Sequence, residues 1–431
     1  MDATLNSIDP REIVEPTMSQ IGIQARRHPV AVLRAVCKNC HPFADLAMKC
    51  MAPRLLVIDD RTPTPDQDSG SACTFSYLQI LAGAGLDLTF LPSVLGDAGH
   101  YSDAIRALGV EVPKPATYPS LEAAVDQLAP KSDLVIIFRA PIAQRVFDRI
   151  RHAAPRAKII FHTVDLHHLR MRRQSELAGD PEMANASDAM RLIELDIVAR
   201  ADATIVVSSF EDVMLRGLVA DADIRHIPLL REVPKRVGGW SARLSGLFRR
   251  RGPLSSRRDI VFVGGFEHAP NGDGVHWFVS QVWPKVLNAE PGSRLVVAGS
   301  NLTADIAALA CETITPLGHV RDLGALFSTA RMSIAPLRYG AGVKGKIVSS
   351  LSYEVPVVAT RIAAEGTGLV DGVNVLIGDD PQEMADAVVR LLRDDDLWRR
   401  LSKAGYRTFI DVHSHTAGRP KIMKLVEDLL R

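Results

Sequence analysis

Short apolar runs alternate with longer amphipathic stretches along most of this chain. The apolar runs begin at residue 54 and are bounded by polar or turn residues, which is typical of strands buried in a parallel sheet. The amphipathic stretches between them repeat with the period of an α-helix. The predicted strands cover residues 54–60, 87–91, 134–138, 158–161, 203–207, 259–263, 294–298, 332–335 and 356–359. The predicted helices cover residues 74–84, 121–128, 142–153, 183–199, 210–219, 274–287, 322–329, 343–353, 382–392 and 416–431.

This order of elements predicts an α/β protein with two Rossmann-like, doubly wound parallel sheets. Helices between successive parallel strands cover both faces of such a sheet. The alternation stops over residues 231–258, which are crowded with Lys and Arg and contain one acid, Glu232. We interpret this segment as a solvated basic linker, and attraction to an anionic membrane face is the alternative interpretation.

The linker divides the chain into segments. Two open sheets that face each other form one interdomain cleft at the carboxyl ends of their strands. The expected organisation is an N-terminal extension (1–51), a first α/β domain (52–230), the basic linker (231–258), a second α/β domain (259–410) and a C-terminal helix (411–431).

Composition narrows the class of protein. The 431 residues carry 51 Lys and Arg against 50 Asp and Glu, a net charge of +1, which excludes a surface devoted to nucleic acid. Five cysteines are too few for a disulfide framework, so a reducing compartment is expected. The chain shows neither a signal peptide nor an apolar run that could span a bilayer. We expect a cytoplasmic protein, with peripheral contact at the inner membrane face left open.

The segment from Pro336 to Lys346 is the strongest candidate for ligand binding. It is rich in glycine, follows an apolar strand and precedes a helix. Glycines let the backbone approach a ligand, and a helix N-terminus offers free N–H groups to an anion. Together with Lys344 and Lys346, these features suit a pyrophosphate, although the Walker A spacing is absent. The alternative is a glycine-rich turn with surface lysines.

Two further loops belong at the predicted cleft. Gly264 and Gly265 follow the first strand of the second domain and place backbone amides there. In the first domain, the loop after residue 60 contains Asp68, Ser69 and Gly70. Capping of the next helix by Ser69 or Ser71 is one interpretation. Contact of this loop with a sugar or phosphate is the other.

A cluster of titratable residues follows the strand at 158–161. His162, Asp165, His167, His168 and Arg170 offer groups for acid–base chemistry or hydrogen bonding. A metal site is disfavoured, because adjacent His167 and His168 cannot both point at one ion from a regular strand.

A second cluster lies in the N-terminal extension. Cys37, Cys40 and His41 match a haem-attachment spacing, and with Cys50 they also offer irregular zinc ligands. We favour partly buried thiols on a helix. No metal site and no cofactor are predicted.

Several segments together resemble glycosyltransferase family 4, the retaining, nucleotide-sugar-dependent transferases with the GT-B fold. The resemblance covers about residues 54–410 and is similar to a branch common in bacterial surface-polysaccharide loci. The segments that carry it are VIDDRTPTPDQDSGS, FHTVDLHHLR, ADATIVVSSFE, VFVGGFEHAPNGDGVHWF and APLRYGAGVKGK with EVPVVATRIAAEGTGL.

The resemblance implies roles for individual residues. The second domain would bind a nucleotide-diphosphate sugar and the first a glycan or lipid-linked acceptor. Asp165, His167 and Lys344 would form the catalytic group. The donor-binding residues would be Gly264, Gly265, His319, Val320, Gly342, Val343, Lys344, Lys346 and Ser349, with His319 and Val320 against the base.

The chain departs from the family pattern at positions that matter. The two glutamates of the Glu-x7-Glu motif correspond to Ala341 and Ser349. Glu354 stands where glycine is usual, and Asn271 lies near the position of a family lysine. The histidine of the family's His–Asp pair aligns with Val164, which leaves His162 or His167 as substitutes. These losses keep a second hypothesis open: a non-catalytic protein that binds a nucleotide or partner and regulates or scaffolds glycan assembly.

Overall fold

The computed structural model describes residues 52–114, 116–234, 254 and 257–431. Pro53–Arg431 forms one compact unit. The predictions for the N-terminal extension, including Cys37, Cys40, His41 and Cys50, lie outside the described residues. So does most of the predicted linker.

The first sheet contains six parallel strands in the order β2-β1-β3-β4-β5-β6. Leu55 of β1 pairs with Leu88 of β2 on one side and Leu134 of β3 on the other, and all three side chains are buried. The order reverses between β1 and β3, the position where open α/β sheets bind ligands. The strands are β1 (Arg54–Asp59), β2 (Asp87–Pro92), β3 (Leu134–Phe138), β4 (Lys158–His162), β5 (Ala203–Val206) and β6 (Ile224–His226).

The second sheet is also parallel and six-stranded, in the order β12-β11-β10-β7-β8-β9. The order in which strands are added reverses between β7 and β10, and the resulting strand order is that of dinucleotide-binding folds. The strands are β7 (Asp259–Val263), β8 (Arg294–Ala298), β9 (Ile314–Gly318), β10 (Ala330–Ala335), β11 (Val357–Ala359) and β12 (Leu376–Ile377).

Seven helices connect the strands of the first sheet over the part of this domain that the structure describes. They are α1 (Ser69–Ala82), α2 (His100–Arg106), α3 (Leu121–Leu128), α4 (Ala140–Ala153), α5 (His167–Ala178), α6 (Pro181–Arg200) and α7 (Ser209–Leu218). The expected cap of α1 was wrong. Asp68 caps this helix by accepting the Ser71 N–H at 2.8 Å, whereas Ser69 and Ser71 lie inside the helix. A carboxylate is favoured here because it also complements the positive helix terminus.

The helices of the second domain and the C-terminus are α8 (Ala269–Trp277), α9 (Trp283–Ala289), α10 (Ala304–Ala307), α11 (Leu323–Thr329), α12 (Gly345–Ser352), α13 (Arg361–Ala364), α14 (Pro381–Arg393), α15 (Asp395–Thr408) and α16 (His415–Leu430). A π-helical turn (Phe278–Val282) separates α8 from α9, so the single helix predicted over 274–287 is interrupted. Pro284 in the first turn of α9 removes a backbone donor at that point.

The C-terminal helix packs back onto the first domain. Arg419 of α16 donates to the Gly83 carbonyl at 3.0 Å, and Gly418 lies against the Leu230 side chain. One apolar cluster extends from β1 and α1 through Leu229 and Leu230 to α12 and β11. The facing edges of the two sheets are therefore held by a continuous core rather than by surface contacts alone.

Glu354 stands where the resemblance led us to expect glycine, and its backbone is strained. Helix α12 ends at Ser352, and two residues later the Glu354 backbone has φ of +58°. Glycine adopts this left-handed conformation without the clash that a Cβ causes. The departure from the family pattern is thus a strained helix terminus.

No helix among the described residues is both long and apolar enough to cross a membrane.

Candidate functional site

The candidate site lies where the carboxyl edges of the two sheets face each other. A Cβ built on Gly342, which follows β10, would lie 3.0 Å from the Asp165 Cβ, which follows β4. A Cβ on Gly265, which follows β7, would lie 3.1 Å from the Gln67 carbonyl oxygen. At both positions glycine avoids a tight contact between the two domains.

The glycine-rich loop between β10 and α12 forms one wall of the cleft. Gly342 has φ of +63°, which turns the chain so that Lys344 becomes the N-cap residue of α12. A Cβ on Gly345, the first residue of this helix, would lie 2.1 Å from Ser69 Oγ at the start of α1. The N-termini of two helices, one from each domain, thus meet at this point.

Both lysines of the loop turn inward, so the interpretation as surface lysines was wrong. Lys344 is 7% exposed and donates to the Gly342 carbonyl at 2.8 Å. Lys346 donates to Asn271 Oδ1, and its Nζ lies 4.8 Å from the centre of the Phe262 ring. Burial lowers the pKa of Lys344 to about 8, against the opposing charges of Glu365 and Glu211. Burial and then the charge of Lys344 lower the pKa of Lys346 to about 7. Two desolvated ammonium groups favour an anionic ligand.

Asn271 connects the lysine loop to the second glycine turn. Its side-chain amide donates to the Gly265 carbonyl at 2.6 Å, while its oxygen accepts from Lys346. A Cβ on Gly264 would lie 2.9 Å from this amide. Asn271 is uncharged, and its side chain orients Lys346. Ser349 lies one turn further along α12 and is half-buried.

Asp165 forms the opposing wall. His167 Nε2 lies 3.4 Å from one of its carboxylate oxygens, and Arg170 Nε donates to the other at 2.9 Å. Although burial alone would raise it, the charges of His167 and Arg170 hold the pKa of Asp165 well below its usual range. Asp165 and His167 are thus adjacent and form a carboxylate–imidazole pair.

The other two histidines of this cluster have structural roles. His162 is fully buried, and its Nδ1 accepts the Val164 N–H at 3.0 Å. Burial lowers the pKa of His162 to about 3, and its side chain is not exposed to solvent. His168 pairs through Nδ1 with Glu194 at 2.5 Å. Since His167 and His168 begin α5, the extended strand assumed for this segment was also wrong.

The backbone beside Asp165 is strained where the chain turns from β4 into α5. Val164 has φ of +64°, a left-handed conformation that is rare for a β-branched residue. Strain of this kind persists where the surrounding structure compensates it, commonly at functional sites.

His268 lies in the cleft on the side of the second domain. It is exposed to the cleft, yet the surrounding protein desolvates it and lowers its pKa to about 4, against the opposing charge of Asp165. The imidazole is therefore neutral near pH 7 and available as a hydrogen-bonding group.

Glu211 is a site residue that the sequence did not reveal. One carboxylate oxygen accepts the Gly342 N–H at 2.7 Å and the Leu166 N–H at 3.2 Å, so it joins the two domains beside Asp165. The other oxygen, Oε2, is buried without a partner among the described residues. Burial and then the charge of Asp165 raise the pKa of Glu211 to about 7. Glu211 lies in the first turn of α7, and its sequence position gave no sign of this contact.

Two further contacts close the cleft. Arg173 of α5 forms a bidentate ion pair with Glu365, with both distances 2.9 Å, and also donates to the Gly340 carbonyl. At the other end, His319 Nε2 lies 3.2 Å from Asp66 of the first domain. His319 is thus bound to the opposite domain, with half-buried Val320 beside it.

The loop at the end of β1 is held by a buried ion pair. Arg139 Nε donates to Asp59 at 2.8 Å, and Thr74 Oγ1 donates to the same carboxylate at 2.6 Å. The Arg139 guanidinium lies against Gly70, where a Cβ would be 2.6 Å from Nη2. The start of α1, with Asp68, Ser69 and Gly70, is therefore rigidly placed at the cleft.

Comparison with solved structures identifies the class of architecture. The chain matches sucrose-phosphate synthase from Thermosynechococcus elongatus with a TM-score of 0.63 and 17% identity, covering 87% of this chain and 99% of that one. It matches Anabaena HepE, solved in complex with UDP and glucose, with a TM-score of 0.64 and 15% identity, covering 87% and 99%. Two six-stranded parallel sheets with flanking helices constitute the GT-B glycosyltransferase fold, as the sequence predicted.

Sequence comparison finds a match to a protein family within the second domain. Residues 257–394 match the family described as glycosyl transferases group 1. A curated relative from Klebsiella pneumoniae, an uncharacterized 44.6 kDa protein in the cps region, is 28% identical over 140 residues. That match covers 30% of this chain and 36% of the relative's own length.

Proposed function

We propose that this protein is a glycosyltransferase that moves a sugar from a nucleotide-diphosphate donor to a glycan or lipid-linked acceptor, with retention of anomeric configuration. The observation that carries the proposal is the pair of inward-facing lysines at the N-terminus of α12, opposite the Asp165–His167 pair. HepE, a structural neighbour, has been solved with UDP-glucose, which supports a nucleotide-sugar donor. The Klebsiella relative's cps region supports a role in surface polysaccharide synthesis.

The charges of the cleft suit departure of a diphosphate. Lys344, Lys346 and the free N–H groups of α12 supply positive charge where the leaving group accumulates negative charge. This arrangement needs neither a metal ion nor a cofactor. Asp165 and His167 would orient the sugar or the acceptor hydroxyl from the opposite wall.

Nucleotide release tests catalysis before an acceptor is known. We expect the full-length protein to release nucleoside diphosphate slowly from at least one member of a nucleotide-sugar panel, with water as acceptor. The freed sugar, followed by NMR during the first turnovers, should keep the donor's anomeric configuration. Inversion would contradict the retaining mechanism.

A non-catalytic nucleotide-binding protein is the second candidate. The replacement of both motif glutamates by Ala341 and Ser349 favours it. A lost charge-assisted hydrogen bond to a ribose or sugar hydroxyl costs about 1.5–3 kcal/mol. Binding of the nucleotide sugar without any release over the buffer rate would support this candidate against the transferase.

The lysine pKa values predict how donor affinity varies with pH. A nucleotide sugar is a diphosphate diester whose charge is constant above pH 6, so changes in affinity report the protein. Bound diphosphate favours the ammonium forms of Lys344 and Lys346 and raises their pKa values above about 8 and about 7. Binding therefore takes up protons, and affinity falls as pH rises through the free-state values. Calorimetric titrations from pH 6.5 to 9 should show this fall, and an affinity that increases with pH would contradict it.

A further inference from the structure

Arg231 has an unexpected place in the cleft. Composition alone assigns it to the basic linker, but its backbone pairs with Ser414 at the start of α16. From there the side chain reaches the start of α1. Its Nη2 group donates to Ser69 Oγ at 3.1 Å and to the Ser69 carbonyl at 3.3 Å. A linker residue thus contributes a charge to the domain junction.

The guanidinium lies between two helix N-termini. A Cβ built on Gly345 would be 2.8 Å from Arg231 Nη2, so the same group contacts the beginning of α12 as well as that of α1. Each N-terminus carries a partial positive charge. A cation placed against two such termini is unfavourable unless an anion joins them.

The Asp68 carboxylate complements the N-terminus of α1 but forms no ion pair with the guanidinium. Arg231 forms no ion pair among the residues that the structure describes, and Asp68 acts on it only at longer range. By contrast, nearby Arg139 is neutralised by Asp59. Burial lowers the pKa of Arg231, as expected for a desolvated cation without a counter-ion.

Some of its hydrogen-bond donors remain available. A guanidinium has five N–H groups. Two contacts to Ser69 and one to the Leu230 carbonyl at 3.0 Å account for three of them. The Nε–H and one Nη1–H are given no acceptor among the described residues and are available to a phosphate oxygen.

We propose that Arg231, supplied by the interdomain linker, binds a phosphate group of the donor diphosphate beside the point where the N-termini of α1 and α12 meet. This inference rests on the proposed function and adds to it a phosphate-binding residue outside the glycine-rich loop. It also makes donor binding depend on the domain junction, because Ser69 and Gly345 belong to different domains.

The test measures binding of inorganic pyrophosphate, UDP and uridine to the full-length protein by calorimetry. We expect Arg231→Gln to weaken pyrophosphate and UDP about 10- to 100-fold, the range for a lost charge-assisted contact, while any binding of uridine stays unchanged. Arg231→Lys should recover part of the loss. Arg407→Gln, whose side chain is 84% exposed on α15, is the matched control and should bind as the wild type does.

A second variant protects the test against misfolding of Arg231→Gln. Ser69→Asp places a carboxylate beside the guanidinium, in a helix first turn where acids are favourable. We expect it to fold and to lose pyrophosphate affinity to a similar extent.

Unchanged pyrophosphate and UDP affinity in Arg231→Gln and Ser69→Asp would overturn the inference while leaving the proposed function intact. Pyrophosphate binding that depends on Arg231, without binding of any nucleoside diphosphate, would support the anion site and refute the proposed donor. No binding of either probe to the wild type would overturn both.

Discussion

Replacing Lys346 with methionine is expected to weaken nucleoside diphosphate binding about 10- to 100-fold, the range for a lost charge-assisted hydrogen bond. If the ammonium contacts the diphosphate more closely as the sugar departs, nucleotide release should fall further, by about 100- to 1000-fold, as for a lost oxyanion donor. Methionine keeps an unbranched side chain that is one atom shorter and removes the ammonium group that lies over the Phe262 ring. Calorimetry and the nucleotide-release rate provide the two measurements.

The same change should make the unliganded protein more stable. Burial lowers the pKa of Lys346 to about 7, so below that pH the unliganded protein holds a desolvated charge at a cost. We expect the unfolding temperature of Lys346→Met at pH 6 to exceed that of the wild type. Lys424→Met, at a side chain 69% exposed on α16, is the control and should change neither property. Loss of binding together with a lower unfolding temperature would indicate general damage instead.

Replacing Asp165 with asparagine should leave donor affinity nearly unchanged but reduce turnover on the order of 100-fold or more, as for a lost acid–base partner. Asparagine fits the same space but lacks the negative charge that lies beside His167 and Arg170. The His167 imidazole then loses the partner that orients it. A substitution that lowers kcat but leaves the donor Kd unchanged distinguishes a role in turnover from a role in binding.

Asp188→Asn is the matched control, because its side chain is 69% exposed on α6. It should retain wild-type turnover. An Asp165→Asn protein with full turnover would remove Asp165 from the chemistry. Donor affinity that falls as much as turnover would make Asp165 a donor-binding residue instead.

The sequence predicted the fold closely because apolar runs report buried strands directly. Predicted strands at 134–138, 259–263 and 294–298 agree with the structure to the residue. The strands that escaped prediction are β6, β9 and β12, which lie at sheet edges. β6 and β12 are only three and two residues long, and β9 contains Pro316 and half-exposed positions, so none shows a continuous apolar run.

The site was only partly predictable, because local pattern cannot report contacts between domains. The glycine-rich loop, Asp165 and His167 stood out through their position after a strand. Glu211 and Arg231 did not, since one occurs in an ordinary helix turn and the other in a basic run. Their roles depend on Gly342 and Ser69, which are more than 100 residues away in sequence but in direct contact.

A thermal-shift titration of the full-length protein with UDP, GDP, ADP and their sugar conjugates tests most directly whether the cleft binds a nucleoside diphosphate. At about a hundredfold excess over its Kd, a ligand should stabilise the protein by about 2.7 kcal/mol, which is readily seen. We predict a shift with at least one base that is clearly smaller in Lys346→Met. No shift with any of them at millimolar concentration, or an equal shift in the variant, would contradict the donor site.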